Sequence, residues 1–159
     1  MRLWAIFALA AVAASCGGGG GGPPTRFEIT VVAGSSINPN AANEPSPVVV
    51  RLYELKSDQA FRQAEFFQLF DEDAKTLGPD MLSKTEFEFA PGTTQRITKQ
   101  SQNKDLAYIG VLASFRDIDA ATWRAVGKVD PQQPNLVMIT LSALSVNLEV
   151  QRKRALGVF

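Results

Sequence analysis

Histidine is absent from this sequence of 159 residues, and cysteine occurs once, at Cys16. Histidine is the commonest general base and the commonest metal ligand in proteins. A single cysteine can form neither an intramolecular disulfide nor a thiolate cluster around a metal. These absences argue against most hydrolases and metalloenzymes, and they leave open a mechanism based on carboxylates or on lysine.

The chain also lacks an excess of charge, with 16 basic and 16 acidic residues. Loss of Arg2 with a cleaved leader leaves 15 basic residues against 16 acidic ones. A nucleic-acid binder needs a basic face, so we predict no nucleic-acid partner. The acidic clusters at residues 71–73 and at Asp117 with Asp119 lack the ligand pattern of an EF-hand, and we place them at a helix start and in a turn. We therefore predict no catalytic residue, no metal and no cofactor.

Residues 1–15 are predicted to be a secretory signal. Arg2 precedes an apolar run at 3–14 that is too short to span a bilayer stably. Small residues stand directly before Cys16, as in the signals of bacterial lipoproteins, although Ala13 occupies the position where leucine is usual. The alternative is an ordinary signal peptide, or an apolar N-terminus with a chance cysteine.

The segment after Cys16 is predicted to be a tether. Six glycines at 17–22 and two prolines follow the cysteine, and such a composition is typical of a flexible linker. We therefore interpret residues 16–25 as a lipidated cysteine and its tether, with acyl chains on Cys16 as a durable membrane anchor. An aspartate directly after the lipidated cysteine resembles an inner-membrane retention signal in enterobacterial lipoproteins. This chain has Gly17 at that position, so we predict that the protein is located in the outer membrane.

The strongest strand signal is residues 48–55, which follow a proline-rich stretch. Side chains alternate between the two faces of a strand. One face carries Val48, Val50 and Leu52, and the other carries Val49, Arg51, Tyr53 and Leu55. Because both faces are largely apolar, we predict a central strand between a sheet core and a helical layer.

The helical layer is predicted from a phenylalanine-rich stripe at residues 61–70, with Ser57 as the N-cap. A second short helix at 71–77 would end at Gly78. The rest of the chain has short alternating runs separated by turn residues, which indicate a β-sandwich. The predicted strands lie at residues 27–32, 48–55, 85–89, 94–99, 108–116, 122–129, 136–141 and 146–150.

Residues 35–46 form a long connection between the first two strands, and long loops in compact domains are often functional. A passive surface loop is the alternative. Ile37 favours a binding role, because it is an apolar residue with no local core to join. The candidate partner-binding residues are Ser35, Ser36, Ile37, Asn38, Pro39, Asn40, Ala41, Ala42, Asn43, Glu44, Pro45 and Ser46.

Several segments together resemble the type VI secretion system outer-membrane lipoprotein family, TssJ/SciN/VasD. They cover essentially the whole mature domain in order and spacing. These segments are Asn38 with Pro39, residues 45–56, Phe61 with 66–69, 77–80, Pro91 with Gly92, 108–117, and Trp123 with Arg124.

This resemblance implies a mainly β fold, a transthyretin-like two-sheet β-sandwich with a small helical insertion after the second strand. The sandwich would span residues 26–151, with the insertion at about 57–78 and a tail at 152–159. The resemblance also implies a non-enzymatic lipoprotein that is held under the outer membrane by Cys16 and faces the periplasm. Its partner would be the periplasmic C-terminal part of TssM, bound through the loop of residues 35–46, with no small-molecule substrate.

Two other functions compete with this hypothesis. A small-molecule or peptide-binding envelope lipoprotein could use the same scaffold, because a fold does not fix a function. A deep apolar pocket between the sheet and the helices would favour that alternative, and a filled core would count against it. An envelope hydrolase is a third candidate, and the missing histidine is its main difficulty.

Overall fold

The computed structural model describes residues 22–153. The predicted signal, the lipidation site at Cys16 and the tail beyond Lys153 lie outside these residues. The described chain forms eight strands, which are β1 Thr25–Ala33, β2 Val48–Leu55, β3 Met81–Phe89, β4 Thr94–Ser101, β5 Tyr108–Ser114, β6 Arg124–Lys128, β7 Pro134–Ser142 and β8 Ser145–Arg152. Two helices, α1 Gln59–Gln63 and α2 Phe66–Leu77, and a 3-10 turn at Gly78–Asp80 lie between β2 and β3.

The strands form two four-stranded sheets that face each other. Sheet 1 has the order β4-β1-β7-β8, and sheet 2 has the order β3-β2-β5-β6. Neighbouring strands are antiparallel except β1 and β7, which pair in parallel from Arg26 with Pro134 to Ala33 with Leu141. The mainly β sandwich with a helical insertion after the second strand is therefore confirmed. Its first and last strands begin at Thr25 and end at Arg152, one residue beyond each predicted limit.

Alternation along the strands builds the core between the sheets. In β1, Phe27, Ile29 and Val31 are buried, while Glu28 is exposed between them. Val50 of β2 faces them from sheet 2 and belongs to the same apolar cluster. This is the two-residue period that places every second side chain of a strand in the core.

Sheet 2 has a second core on its other face, under the helices. Tyr53 and Leu55 of β2 are fully buried there with Phe61 of α1, Leu69 of α2 and Leu112 of β5. β2 pairs with β3 on one side and with β5 on the other. The prediction of a central strand between a sheet core and a helical layer is confirmed.

The predicted first helix is divided in two. α1 ends before Ala64, which is extended at ψ 146°, and α2 begins after Glu65. The side chains of Glu65 and Gln68 each accept a hydrogen bond from the other residue's backbone, forming a capping box that starts a new helix. Asp58 rather than Ser57 is the N-cap of α1. Phe67 points to solvent with 63% of its surface exposed, so the phenylalanine stripe is not entirely core.

Gly92 has a positive φ of 72° in the turn after Pro91, and this turn connects β3 of sheet 2 to β4 of sheet 1. α2 is kinked at Glu72, whose φ of −130° and ψ of 33° are not helical, so a second helical segment starts at Asp73, close to the start predicted for a helix at 71–77. Asp73 is buried there and accepts hydrogen bonds from sheet 2.

Within residues 22–153, no helix combines the length and apolar character that are needed to cross a membrane.

Candidate functional site

The loop of residues 35–46 lies at one end of the sandwich. It leaves β1 after Ala33 in sheet 1 and enters β2 at Val48 in sheet 2. The chain enters β1 at Thr25, so the length of β1 separates its entry from the loop. At roughly 3.3 Å per residue, nine residues extend over about 27 Å. The loop is therefore presented at the end of the domain opposite to the predicted tether.

Ile37 anchors the loop in the core between the sheets. Its side chain has 0% exposure and belongs to the same cluster as Ala33, Val48 and Leu141. The prediction that Ile37 has no core to join is wrong, because that core comes from strands distant in the sequence. Its side chain is not available to a partner in this structure.

Asn38 holds the base of the loop to three different parts of the chain. Its backbone N–H donates to the carbonyl of Ala143 at 2.8 Å, and its side-chain Nδ2 donates to the carbonyl of Pro47 at 2.6 Å. Its Oδ1 accepts from the backbone N–H of Arg116 at 2.8 Å. Asn38 has φ 49°, a left-handed conformation that asparagine tolerates better than most residues. The buried amide therefore fixes the direction in which the loop leaves the core.

Ser46 closes the base from the other end of the loop. Its backbone N–H donates to the carbonyl of Ile37 at 3.1 Å, and its hydroxyl donates to the carbonyl of Asn38. The Arg116 Nε donates to the same hydroxyl at 3.0 Å. Arg116 is thus part of the site through both its backbone and its side chain, although the loop sequence gives no sign of it.

The tip of the loop is organised around Asn40. Its Oδ1 accepts from the backbone N–H groups of Ala42 at 2.8 Å and Glu44 at 3.0 Å. Its Nδ2 donates to Oε2 of Glu44 at 2.8 Å, and its backbone N–H donates to the Glu44 carbonyl at 2.9 Å. Asn43 takes up the positive φ of 60° that this tight turn needs. An asparagine side chain that bonds the following backbone is a common turn-forming device.

The twelve predicted loop residues therefore divide into three groups. Two are buried and hold the base, namely Ile37 and Asn38. Three are half-buried, namely Pro39, Asn40 and Ser46. The exposed ones, which a partner can contact, are Ser35, Ser36, Ala41, Ala42, Asn43, Glu44 and Pro45.

The interior of the sandwich leaves little room for a ligand. A void between the sheets, lined by Ile29, Val50, Phe87 and Ile139 among others, holds only about 10 Å³. This is close to the minimum for a single water molecule. A wider cleft of about 410 Å³ lies on the outer face of sheet 1, beside Leu136 and Met138. The side chains buried under the helices form one apolar cluster, so among the described residues both layers read as packed cores, which counts against a small-molecule carrier.

The main buried charged cluster links α2 to sheet 2. Asp73 Oδ2 accepts from Lys84 Nζ at 2.6 Å and from the Tyr53 hydroxyl at 3.1 Å. The Arg51 Nη1 donates to the carbonyl of Phe70 at 2.6 Å, and its Nε pairs with Glu86 at 2.7 Å. Every charge in this cluster has a protein partner, so the cluster attaches the helix to the sheet.

Burial and hydrogen bonding oppose each other at these groups. Burial alone would raise the pKa of the Asp73 carboxyl, but hydrogen bonds from Lys84 and Tyr53 outweigh it, and the pKa is lowered. Burial and the nearby Asp73 charge raise the pKa of the Tyr53 hydroxyl. Asp73 is thus an anion and Tyr53 a neutral donor at neutral pH. In the described part of the chain, no group of three histidine, cysteine or acidic side chains is placed to hold a metal ion.

The described residues thus form a two-sheet β-sandwich with a filled core, and hydrogen bonds hold one loop at its end so that the exposed side chains of that loop can contact a partner. The chain belongs to the family described as type VI secretion lipoprotein, VasD, EvfM, TssJ, VC_A0113, which matches residues 25–153. This confirms the resemblance found in the sequence. A comparison with curated protein sequences gave no significant match.

Solved structures show the same relationship. The type VI secretion lipoprotein TssJ1 from Pseudomonas aeruginosa is 38% identical, with a TM-score of 0.77, and the match covers 83% of this chain and 100% of that one. Lip from Serratia marcescens, described as a membrane bound component of the type VI secretion system, is 26% identical, with a TM-score of 0.71 over 78% of this chain and 96% of that one. A chain in a structure described as the TssM C-terminal domain (869-1107) from EAEC is 29% identical, with a TM-score of 0.64 over 77% of this chain and 99% of that one.

The protein is therefore a member of a type VI secretion lipoprotein family. Its family is a structural lipoprotein family and not an enzyme family, in agreement with the prediction of a non-enzymatic role.

Proposed function

We propose that this lipoprotein is anchored in the outer membrane by acyl chains on Cys16, faces the periplasm, and binds the periplasmic C-terminal part of TssM. The exposed residues of the 35–46 loop make the contact, and the contact docks the type VI membrane complex to the outer membrane. The observation that carries this proposal is the braced loop at the end of the sandwich opposite to the predicted tether. Similarity to chains in a type VI membrane complex and in a TssM structure supports the choice of partner.

The hydrogen bonds that hold the 35–46 loop in one conformation favour its binding to a partner. Ordering a mobile loop on binding reduces affinity, and a loop that is already ordered avoids that loss. Here Asn38 fixes the base and Asn40 fixes the tip through hydrogen bonds that are present without a partner. The exposed atoms of Ala41, Ala42 and Glu44 are consequently held in one arrangement that a partner surface can match.

Anchoring adds to the affinity of the loop for TssM. A lipid on Cys16 confines the domain to the membrane, and two attachments in one chain raise the effective concentration of the second binding event. The protein needs no chemical step for this function, because its action is to hold two positions in the envelope at a fixed separation.

Substitutions at the tip test the loop. Ala42→Arg adds a bulky charge at an exposed position while leaving Ile37 and Asn38 in place. We expect at least a tenfold weaker affinity for the periplasmic C-terminal part of TssM, measured by titration calorimetry, with an unchanged melting temperature. Gln102→Arg, at an exposed position between β4 and β5, is the matched control and should bind normally. Normal binding by Ala42→Arg would place the contact elsewhere. Shortening the loop is a less direct test, because it would remove Ile37 from the core.

Replacement of the cysteine tests the anchor. The Cys16→Ser chain should move from the outer-membrane fraction to the soluble periplasmic fraction and still bind TssM in vitro. Retention of this variant in the outer membrane would contradict anchoring through Cys16.

A further inference from the structure

The end of the sandwich where β1 begins carries more basic than acidic side chains. We call it the tether end, and it comprises the starts of β1, β3, β5 and β7, the ends of β2, β4, β6 and β8, and their turns. Its basic residues are Arg26, Lys56, Lys104, Lys128, Arg152 and Lys153. Its acidic residues are Glu28, Asp58, Asp80, Asp105 and Asp130.

Ion pairs leave most of this basic charge free. Lys56 lies 3.5 Å from Asp105, and Lys153 lies 2.6 Å from Glu28. The other four basic side chains of the tether end are exposed, and none has a carboxylate within 4.0 Å among residues 22–153. The tether end therefore presents cationic groups that are available to an anionic partner.

The opposite end has the reverse balance. Glu44 in the 35–46 loop and Asp117 and Asp119 after β5 are exposed there, and the basic residues of this end are Arg116 and the half-buried Arg124 at the start of β6. The Arg116 side chain donates a hydrogen bond to the Ser46 hydroxyl and keeps its positive charge. The domain thus has a basic end and an acidic end along the direction of its strands.

The chain enters the domain at the basic end and is held there. The Gln132 backbone N–H donates to the Thr25 hydroxyl at 2.7 Å, and the Arg26 N–H donates to the Gln133 carbonyl at 3.1 Å. Gly22 already lies against this turn, since a Cβ built on it would be 2.7 Å from the Gln132 side chain. Residues 16–25 can span at most about 35 Å when fully extended, so an anchor at Cys16 keeps the basic end within that distance of the bilayer.

We propose that the tether end rests on the anionic phospholipid headgroups of the membrane that holds the anchor, with Arg26, Lys104, Lys128 and Arg152 as the contacting residues. This inference rests on the proposed anchoring through Cys16. Basic residues near an anionic surface are attracted to it, and the attraction fades within a Debye length of roughly 8 Å at physiological salt. At physiological salt the anchor supplies the proximity that so few charges need, whereas at low salt the attraction reaches farther, with a Debye length of about 30 Å at 0.01 M, and the charges alone are expected to bind. The contact orients the acidic end, with the 35–46 loop, away from the bilayer and toward the periplasm.

The first experiment measures the contact with headgroups in the absence of the acyl chains on Cys16. It uses the whole mature chain from residue 16 onward with Cys16→Ser, and measures its co-sedimentation with vesicles. We expect binding to vesicles rich in phosphatidylglycerol at low salt, loss of that binding at high salt, and no binding to phosphatidylcholine vesicles. Equal binding to both vesicle types, or binding to neither at low salt, would overturn the proposal.

A matched pair of charge reversals locates the contact. Lys128→Glu, at the end of β6, changes the net charge by two and should weaken binding to the anionic vesicles about 25-fold, from about fivefold per charge. Arg96→Glu makes the same change at an exposed position in β4 nearer the loop end, and should have little effect. Equal losses in the two variants would show a response to net charge alone and overturn the assigned surface. If the Cys16→Ser chain remained in the outer membranes of cells, the proposed anchoring through Cys16 would be wrong. The vesicle measurements would still show whether the tether end binds anionic headgroups.

Discussion

Asn38 and Arg116 lie 78 residues apart in the sequence, and Asn38 Oδ1 accepts a hydrogen bond from the Arg116 backbone N–H at 2.8 Å. This contact connects the base of the 35–46 loop to the segment that follows β5. The same amide donates to the Pro47 carbonyl, so one buried side chain holds both ends of the loop and a third segment. The position of the loop is consequently set by the whole sandwich and not by the loop sequence alone.

Asn38→Ala should lower the free energy of unfolding by about 2 kcal/mol, because it leaves the Arg116 N–H and the Pro47 carbonyl without their buried partner. Chemical denaturation measures this difference. Asn40→Ala is the comparison, since Asn40 braces only the half-buried tip. It should change the stability far less and weaken TssM binding instead. Equal stabilities of Asn38→Ala and the unmodified chain would contradict the role of Asn38 as the brace.

Ile37→Ala should destabilise the fold by about 3 kcal/mol, because it removes a fully buried side chain and leaves a cavity in the core. Ala42→Ser, at an exposed position of the same loop, should change the stability by less than about 0.5 kcal/mol. Thermal and denaturant unfolding of the two variants measure the contrast. Similar small effects for both would show that Ile37 is not part of the core in solution.

The position of β2 could be predicted from the sequence because the strand has apolar residues on both of its faces. Val50 and Tyr53 point to opposite sides, and each is buried in a different core. The burial of Ile37 in the core could not be predicted from such a local pattern. Its neighbours in the chain are polar, and the apolar residues around it, such as Leu141, come from strands that the sequence does not place beside it.

The break between the helices was open to prediction. Glu65 stands three residues before Gln68, a spacing close to the capping-box pattern that starts a helix, but the phenylalanine stripe across it favoured one continuous helix. No sequence pattern indicated that Arg116 contacts Asn38 and Ser46. They depend on a register between two segments that only the folded sandwich brings together.

The attachment of α2 to sheet 2 should depend on pH. Because the pKa of Asp73 is lowered in the folded state, its carboxylate stabilises the fold above the unfolded pKa of about 3.9 and loses that contribution as the pH falls through the folded value. The free energy of unfolding should therefore fall more steeply below about pH 4 in the unmodified chain than in Asp73→Asn. At neutral pH the variant should be about 2 kcal/mol less stable, since Lys84 loses its charged partner.

A second acidic residue of α2 provides the control for the pH experiment. Glu72 pairs with Lys75 at the exposed surface, and both side chains are largely in solvent. Glu72→Gln should leave the pH profile of unfolding nearly unchanged, because exposed ion pairs contribute little. Parallel profiles for Asp73→Asn and the unmodified chain would show that the buried carboxylate is not the group that titrates.

Gly110 should be required for the helical layer to close on β5. A Cβ built at this position would lie 3.0 Å from Phe61 Cζ and 3.1 Å from Leu55 Cδ1, and both side chains are fully buried. Gly110→Ala should therefore destabilise the fold by about 2 kcal/mol through overpacking. Phe61→Leu, which removes the ring edge in that contact, should cost about 1 kcal/mol alone. If the contact is the cause, the double variant is less destabilised than the sum of the single changes, since residues in contact are not additive. An additive result in denaturant unfolding would place the effect of Gly110→Ala in the strand backbone and not in the packing against α1.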